Sequence, residues 1–169
     1  MSQSQQQFVK AVLAIGGNLG DREQTLKSAI KQLAEHPAIR VLAISPFVES
    51  HAVALSGIDP TAPKYLNGVV EIETNLKPKQ LLELVRKIES DHGRVRLERW
   101  GSRTLDIDII VYSDVVKAGK ELTLPHPRAS ERAFVVVPWS LIAPEAVLPG
   151  FGKVAKLAED LADQVWIPA

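Results

Sequence analysis

Asp106 and Asp108 stand two residues apart in the run Leu105-Asp106-Ile107-Asp108-Ile109-Ile110-Val111-Tyr112, which is otherwise apolar and rich in β-branched residues. Such a run favours a strand. Alternate side chains on a strand share a face, so the two carboxylates point one way and Leu105, Ile107 and Ile109 point the other. Two carboxylates a few ångströms apart form a hard-oxygen site suited to Mg²⁺, which takes one or two carboxylates and completes its shell with water and substrate phosphates. Immediately before them, Arg94, Arg96, Arg99 and Arg103 crowd into ten residues together with Trp100. Guanidinium groups match phosphate oxygens bidentately, and an indole in such a loop suits a cover. A structural alternative places the aspartates on a solvated strand face, paired with Arg99 or Arg103. Aspartate is disfavoured inside strands, and an acidic pair flanked by arginines marks a site, so the chemistry to expect is metal-assisted handling of phosphate.

The rest of the chain must position this pair. Its 169 residues fit a single domain spanning 1–169, with 1–7 as a disordered polar tail. Twenty basic residues balance twenty acidic ones, so no global field draws the protein to nucleic acid or membrane. Cysteine is absent, which removes disulfides and thiolate metal sites. The apolar run Ala11–Ile15 is too short for a signal peptide or a membrane span, so the expectation is a cytoplasmic protein; a monomer is expected as well.

In order, Phe8–Ile15 reads as a strand and Gly16-Gly17-Asn18-Leu19-Gly20 as a turn. Asp21 caps a helix with Gln24 three residues on and an apolar stripe of Leu26, Ala29, Ile30 and Leu33, ended by Pro37. Val41–Val48 is a second strand. Glu49–Lys64 loses all periodicity and reads as a long connection, a length usual for functional or disordered loops. Tyr65–Glu73 is a third strand, and Pro78 opens a helix with the stripe Leu81, Leu84, Val85 and Ile88, closed by Gly93. After the acidic strand, Leu122–Pro127 is extended. Phe134–Ile142 is a partly helical core segment broken by Pro138, and Val154–Leu161 a short amphipathic helix on the outside. The order β, α, β, β, α, β predicts an α+β ferredoxin-like sandwich: a mainly antiparallel sheet, crossover helices and long mobile active-site loops.

Several of these segments also resemble a known family. Arg99-Trp100-Gly101-Ser102-Arg103-Thr104-Leu105-Asp106-Ile107-Asp108-Ile109 looks like the diagnostic motif of the 6-hydroxymethyl-7,8-dihydropterin pyrophosphokinases of the folate pathway. Ile15-Gly16-Gly17-Asn18-Leu19 resembles the family's amino-terminal motif and Tyr65-Leu66-Asn67 its pterin-site segment. Leu124-Pro125-His126 with Arg132 and Phe134 resembles its carboxy-terminal motif. The motifs run from about Val9 to Leu148 in the family's order.

The resemblance implies transfer of pyrophosphate from ATP to the pterin hydroxymethyl group, leaving AMP. It implies that Asp106 and Asp108 hold two Mg²⁺ ions bridging the triphosphate and the attacking hydroxyl, which agrees with what in-line attack on phosphorus requires. By the same resemblance, Arg94 and Arg103 are catalytic on the triphosphate oxygens, and Arg96 and Trp100 belong to a mobile loop closing over the nucleotide. Arg99, His126 and Arg132 face the nucleotide and Glu89 its ribose side; a turn cap for His126 and a solvated helix face for Glu89 are the plainer readings. Gly16, Asn18, Tyr65, Asn67 and Phe134 are implied to form the pterin site. Tyr65 and Phe134 sandwich the ring, and Asn67 bonds its amide-like edge. Ordinary core is the alternative for Phe134; Asn67 in a strand needs partners. His36, His51 and His92 receive no role.

The chain departs from the family in two places. Ser50-His51-Ala52-Val53 stands where the family carries Thr-Pro and a further proline. The arginine loop is one residue shorter, with Leu97 in place of a common lysine. Two rival classes fit less well. Nucleotidyltransferases separate their glycine-serine pair from Asp-x-Asp by a helix, which Gly101-Ser102 lies too near to allow. A ferredoxin-like nucleic-acid module wants net basic charge and exposed aromatics, against zero net charge and only three tryptophans, two tyrosines and four phenylalanines here.

Overall fold

The computed structural model describes residues 7–54, 57–59, 61–93 and 104–168. Arg94, Arg96, Arg99, Trp100, Arg103 and the amino-terminal tail before Gln7 lie outside the described residues.

β1 (Val9–Gly17) is buried without interruption from Ala11 onward. Apolar residues on both faces of a strand demand cover on both sides. α1 (Arg22–Glu35) starts as its sequence dictates: the Asp21 carboxylate accepts from the Gln24 N–H at 3.2 Å, and Leu26, Ala29, Ile30 and Leu33 are buried. The expected strand Val41–Val48 is in fact two, β2 (Ile39–Ile44) and β3 (Val48–Ser50). Pro46 between them has no N–H to give to a ladder. Ser45 makes the last contact before the break, its N–H donating to Val69 O at 2.9 Å and its Oγ accepting from Val69 N at 2.8 Å.

The stretch expected as a long irregular connection contains a hairpin, β4 (Ala52–Ala54) paired with β5 (Gly57–Asp59). Strands of three residues are too short to show a period, and Gly57 (φ +111°) supplies the backbone conformation the turn needs. β6 (Tyr65–Thr74) and α2 (Pro78–Asp91) follow, then β7 (Asp106–Tyr112). α3 (Ala133–Ile142), the short pair β8 (Val147–Leu148) and β9 (Gly152–Lys153), and α4 (Val154–Leu161) complete the chain.

The main sheet runs β2-β6-β1-β7 with every neighbouring pair antiparallel, and β3 extends the β2 edge alongside β6. This is a mixed α+β architecture. α1 joins β1 to β2 across β6, and α2 joins β6 to β7 across β1, so both helices lie on one face. There they pack with Leu13, Ile15, Val70, Ile72, Ile107 and Ile109. The other face presents Val12, Ala14, Val69 and Ile110 to α3 and α4, a second helical layer that the element order had not suggested. α3 is also continuous where Pro138 was expected to break it. One lost backbone bond and a ring clash cost about 3 kcal/mol. Burial of Val135, Val136 and Trp139, each worth about 1.5–3 kcal/mol, outweighs it. Among the described residues no helix is long and apolar enough to cross a membrane.

Candidate active site

β7 alternates as its sequence requires: Asp106 and Asp108 are half-buried, Ile107 and Ile109 fully buried in the first core with Leu105. Both aspartates therefore lie on the α3 side of the sheet, near the end where that helical layer begins. Arg132, just before α3, places Nη1 3.6 Å from Asp108 Oδ2, and its guanidinium stands 5.6 Å from the Phe134 ring centroid. β7 is an edge strand, and two groups cover its outer side. The Glu89 carboxylate of α2 accepts from the Ile107 N–H at 2.7 Å, and the Ile110 carbonyl accepts from the His126 N–H at 2.8 Å. Glu89 is only 3% exposed, so the solvated-face alternative does not describe it. A cavity of about 300 Å³ runs along this edge, lined by Arg86, Glu89, Asp106, Asp108, Lys120, Thr123 and His126 among others.

His126 accepts at Nδ1 from the Arg128 N–H at 3.2 Å, which leaves the proton of the neutral ring on Nε2. Burial holds its imidazole below the usual 6.5; nearby Asp108 pulls the other way, and Arg132 and Arg128 add to the depression. The folded protein thus resists protonating this ring, so its stability contribution is complete above pH 6.5 and falls away as acidification lets the unfolded chain take up the proton first. An NMR titration of His126 in the metal-free protein should show a midpoint below 6.5. A midpoint above that value would mean that attraction to Asp108 outweighs burial.

Two strands away lies a second set of polar groups. The cross-strand register pairs Asp106 with Gly16, Gly16 with Asn67, and Asn67 with Val48, one row across β7, β1, β6 and β3. With strands about 4.8 Å apart, Asp106 and Asn67 stand roughly 10 Å from each other. Between them Gly16 contributes no side chain, and the Asn67 amide leans into that vacancy: a Cβ on Gly16 would lie 1.7 Å from Asn67 Oδ1. Asn67 is 7% exposed. A buried amide needs hydrogen-bond partners, and the edge of a ligand beside the Gly16 gap can supply them. Tyr65 is half-buried two residues earlier, on the same face as Asn67. Phe134 packs from α3 against the small cluster of Val48, Ala133 and Val165. Asn18 is turned elsewhere in part, donating from Nδ2 to Pro63 O at 3.1 Å.

The fold therefore gathers Gly16, Tyr65, Asn67, Asp106, Asp108, Arg132 and Phe134 on one side of the sheet, with Glu89 and His126 on the β7 edge. Arg86 and Lys120, which line the edge cavity, were not singled out in the sequence. Arg86 carried a signal, lying one helical turn before Glu89 on α2; Lys120 carried none. Among the described residues no group of three His, Asp or Glu side chains converges on a metal-sized site. A pair of carboxylates beside a cavity suits a cation that keeps waters and takes phosphate oxygens, which is the behaviour of Mg²⁺.

The described geometry has close relatives. A family model for 7,8-dihydro-6-hydroxymethylpterin-pyrophosphokinase (HPPK) matches residues 12–144. A 2-amino-4-hydroxy-6-hydroxymethyldihydropteridine pyrophosphokinase of Synechocystis is 40% identical over 163 residues, covering 95% of this chain and 81% of that protein. The protein of the same name from Haemophilus influenzae is 36% identical over 160 residues, covering 95% of this chain and 98% of its own length. Among solved structures, a Plasmodium falciparum HPPK-DHPS triple mutant matches with a TM-score of 0.73 at 13% identity, covering 95% of this chain. This chain spans 43% of the length of that one, and at such identity the likeness speaks to fold alone.

Proposed function

Because this chain belongs to the 7,8-dihydro-6-hydroxymethylpterin-pyrophosphokinase family, we propose that it transfers pyrophosphate from ATP to the hydroxymethyl group of 6-hydroxymethyl-7,8-dihydropterin, releasing AMP, in folate biosynthesis. The observation that carries this reading is the row Asp106–Gly16–Asn67. A pterin whose amide-like edge bonds Asn67 and whose ring stacks between Tyr65 and Phe134 directs its hydroxymethyl arm over Gly16 toward Asp106. The hydroxyl oxygen then bonds to the β-phosphorus of ATP as the bridging P–O bond to the α-phosphate breaks.

Asp106 and Asp108 would hold two Mg²⁺, whose charge neutralises the phosphate oxygens at the reacting centre. The chain's own work is positioning. Glu89 and His126 keep β7 in place through Ile107 N and Ile110 O, and so keep both carboxylates aligned. Arg132, whose Nη1 stands 3.6 Å from Asp108 Oδ2, would bind phosphate oxygens of the nucleotide beside the carboxylates. His126 faces the nucleotide as a neutral ring, and Glu89 borders its cavity. We assign Arg94 and Arg103 to the triphosphate charge in the transition state, and Arg96, Arg99 and Trp100 to a loop closing over ATP; their sequence pattern supports this, though they lie outside the described residues. Gly16 and Asn18 complete the pterin side. The strand order supports a ferredoxin-like plan with an added helical layer, the neutral net charge supports a protein without nucleic-acid or membrane-surface partners, and we take it to act as a cytoplasmic monomer.

Incubation with ATP, Mg²⁺ and hydroxymethyldihydropterin should yield AMP and pterin diphosphate in equal amounts, and chelation of Mg²⁺ should stop the reaction. Formation of ADP in place of AMP would show single phosphoryl transfer and overturn the proposal.

A further inference from the structure

We infer that Trp166, acting through Glu49, is a positioning residue for the pterin segment Tyr65–Asn67. This rests on the pterin reading of Tyr65 and Asn67 given above. Trp166 lies beyond residue 144, where the family match ends, and nothing in its local sequence suggests a link to the site.

The geometry is a clamp on a weak piece of sheet. β3 has three residues, and its register pairs Ser50, Glu49 and Val48 with Tyr65, Leu66 and Asn67. A strand that short makes too few ladder bonds to hold itself in place. Trp166 backs it from the other side. Its carbonyl accepts from Glu49 N at 2.7 Å, and its N–H donates to Glu49 O at 3.1 Å. The indole Nε1 also donates to Glu49 Oε1 at 3.0 Å. The other carboxylate oxygen accepts from Arg22 Nη2 at 2.7 Å, and Arg22 Nη1 donates to Lys64 O at 2.9 Å. Asn18 holds the preceding Pro63 carbonyl. Both the partner strand of Tyr65–Asn67 and the residues leading into it are therefore tied to one carboxylate.

Three further observations fit a clamp. Glu49 remains charged: its bond from Arg22 holds the carboxyl below its ordinary value, against the effect of burial. The Trp166 ring is itself held, with the His51 ring at 5.1 Å and Lys64 Nζ at 5.6 Å. A cleft of about 460 Å³ opens beside Pro63 and Lys64, and Asn18, Arg22 and Glu49 of the clamp line it as well. The indole donor, being neutral, adds to the charge pair at little desolvation cost.

The test uses the full chain. Trp166→Phe removes the Nε1 donor and keeps an aromatic ring; Glu49→Gln removes the charge; Tyr65→Ala removes a direct pterin contact. Calorimetry measures the Kd for hydroxymethylpterin and, separately, for a non-hydrolysable ATP analogue with Mg²⁺; thermal melts and steady-state rates accompany it. We expect Glu49→Gln to weaken pterin binding roughly ten-fold and Trp166→Phe about three-fold, as expected for losing a charged and a neutral hydrogen bond. Nucleotide affinity should stay within about two-fold, and the kinetic effect should fall on the KM for pterin, with kcat nearly kept. A lowered Tm with unchanged pterin affinity would make the clamp purely structural and overturn the inference, as would equal losses for pterin and nucleotide. Should Glu49→Gln not fold, Trp166→Phe decides by the same criteria. If Tyr65→Ala binds pterin normally, the pterin reading itself falls and this inference with it. If Tyr65→Ala weakens binding and the clamp variants do not, only the clamp fails.

Discussion

Replacing Asp106 or Asp108 by asparagine should lower the rate of AMP formation by roughly 10³-fold or more, because metal neutralisation of transferring phosphates is worth several kcal/mol and each 1.36 kcal/mol is tenfold. The same substitutions should leave the fold nearly untouched. Asparagine keeps the side-chain shape on β7, and the Arg132–Asp108 contact is a 3.6 Å pair with both side chains 28–40% exposed. Pairs of that kind contribute about 0–1 kcal/mol. A thermal melt within a few degrees of the parent, beside the lost turnover, would separate chemistry from stability. Pterin affinity should survive in part, because Asn67 and the aromatic residues are not altered. Near-normal turnover of either variant at saturating Mg²⁺ would remove the carboxylates from the metal-binding role.

Gly16→Ala should damage both stability and pterin binding, because an added Cβ there meets the tightest contact among the described glycines. The added Cβ would fall 1.7 Å from Asn67 Oδ1, 2.7 Å from its Cγ and 3.2 Å from the Leu66 carbonyl, so the Asn67 amide must leave its seat. Overpacking at a buried strand pair costs typically 1–3 kcal/mol. The functional loss should be larger, on the order of 100-fold in pterin affinity, since the displaced amide no longer meets the ligand's donor and acceptor edge. A double variant, Gly16→Ala with Asn67→Ala, distinguishes the two effects. It should recover much of the lost stability, because the colliding amide is gone, and none of the pterin affinity. Calorimetry with hydroxymethylpterin and thermal denaturation measure both. Undiminished pterin affinity in Gly16→Ala would mean that the amide of Asn67 and the gap beside it do not receive the pterin.

Features set by residues near one another in sequence could be read without a structure. The Asp21 cap and the stripe Leu26, Ala29, Ile30 and Leu33 follow from helical spacing, and α2 follows from Pro78 and its own stripe. The shared face of Asp106 and Asp108 follows from the two-residue period of a strand. Local rules failed where strands were three residues long, as in β3, β4 and β5, and where tertiary burial outweighed a proline, as in α3. They marked both helices of the second layer, in Phe134–Ile142 and Val154–Leu161, but not the sheet face that these helices cover together. The sequence by itself determined which residue types the site contains and which side of its own strand each acidic residue takes. Only the tertiary structure decided that Asp106, Gly16 and Asn67 form one row, and that Trp166 reaches Glu49 across 117 residues. Strand register and long loop closures are chosen by the burial of the whole sheet, whose energy is shared among distant residues, so no short window of sequence contains them.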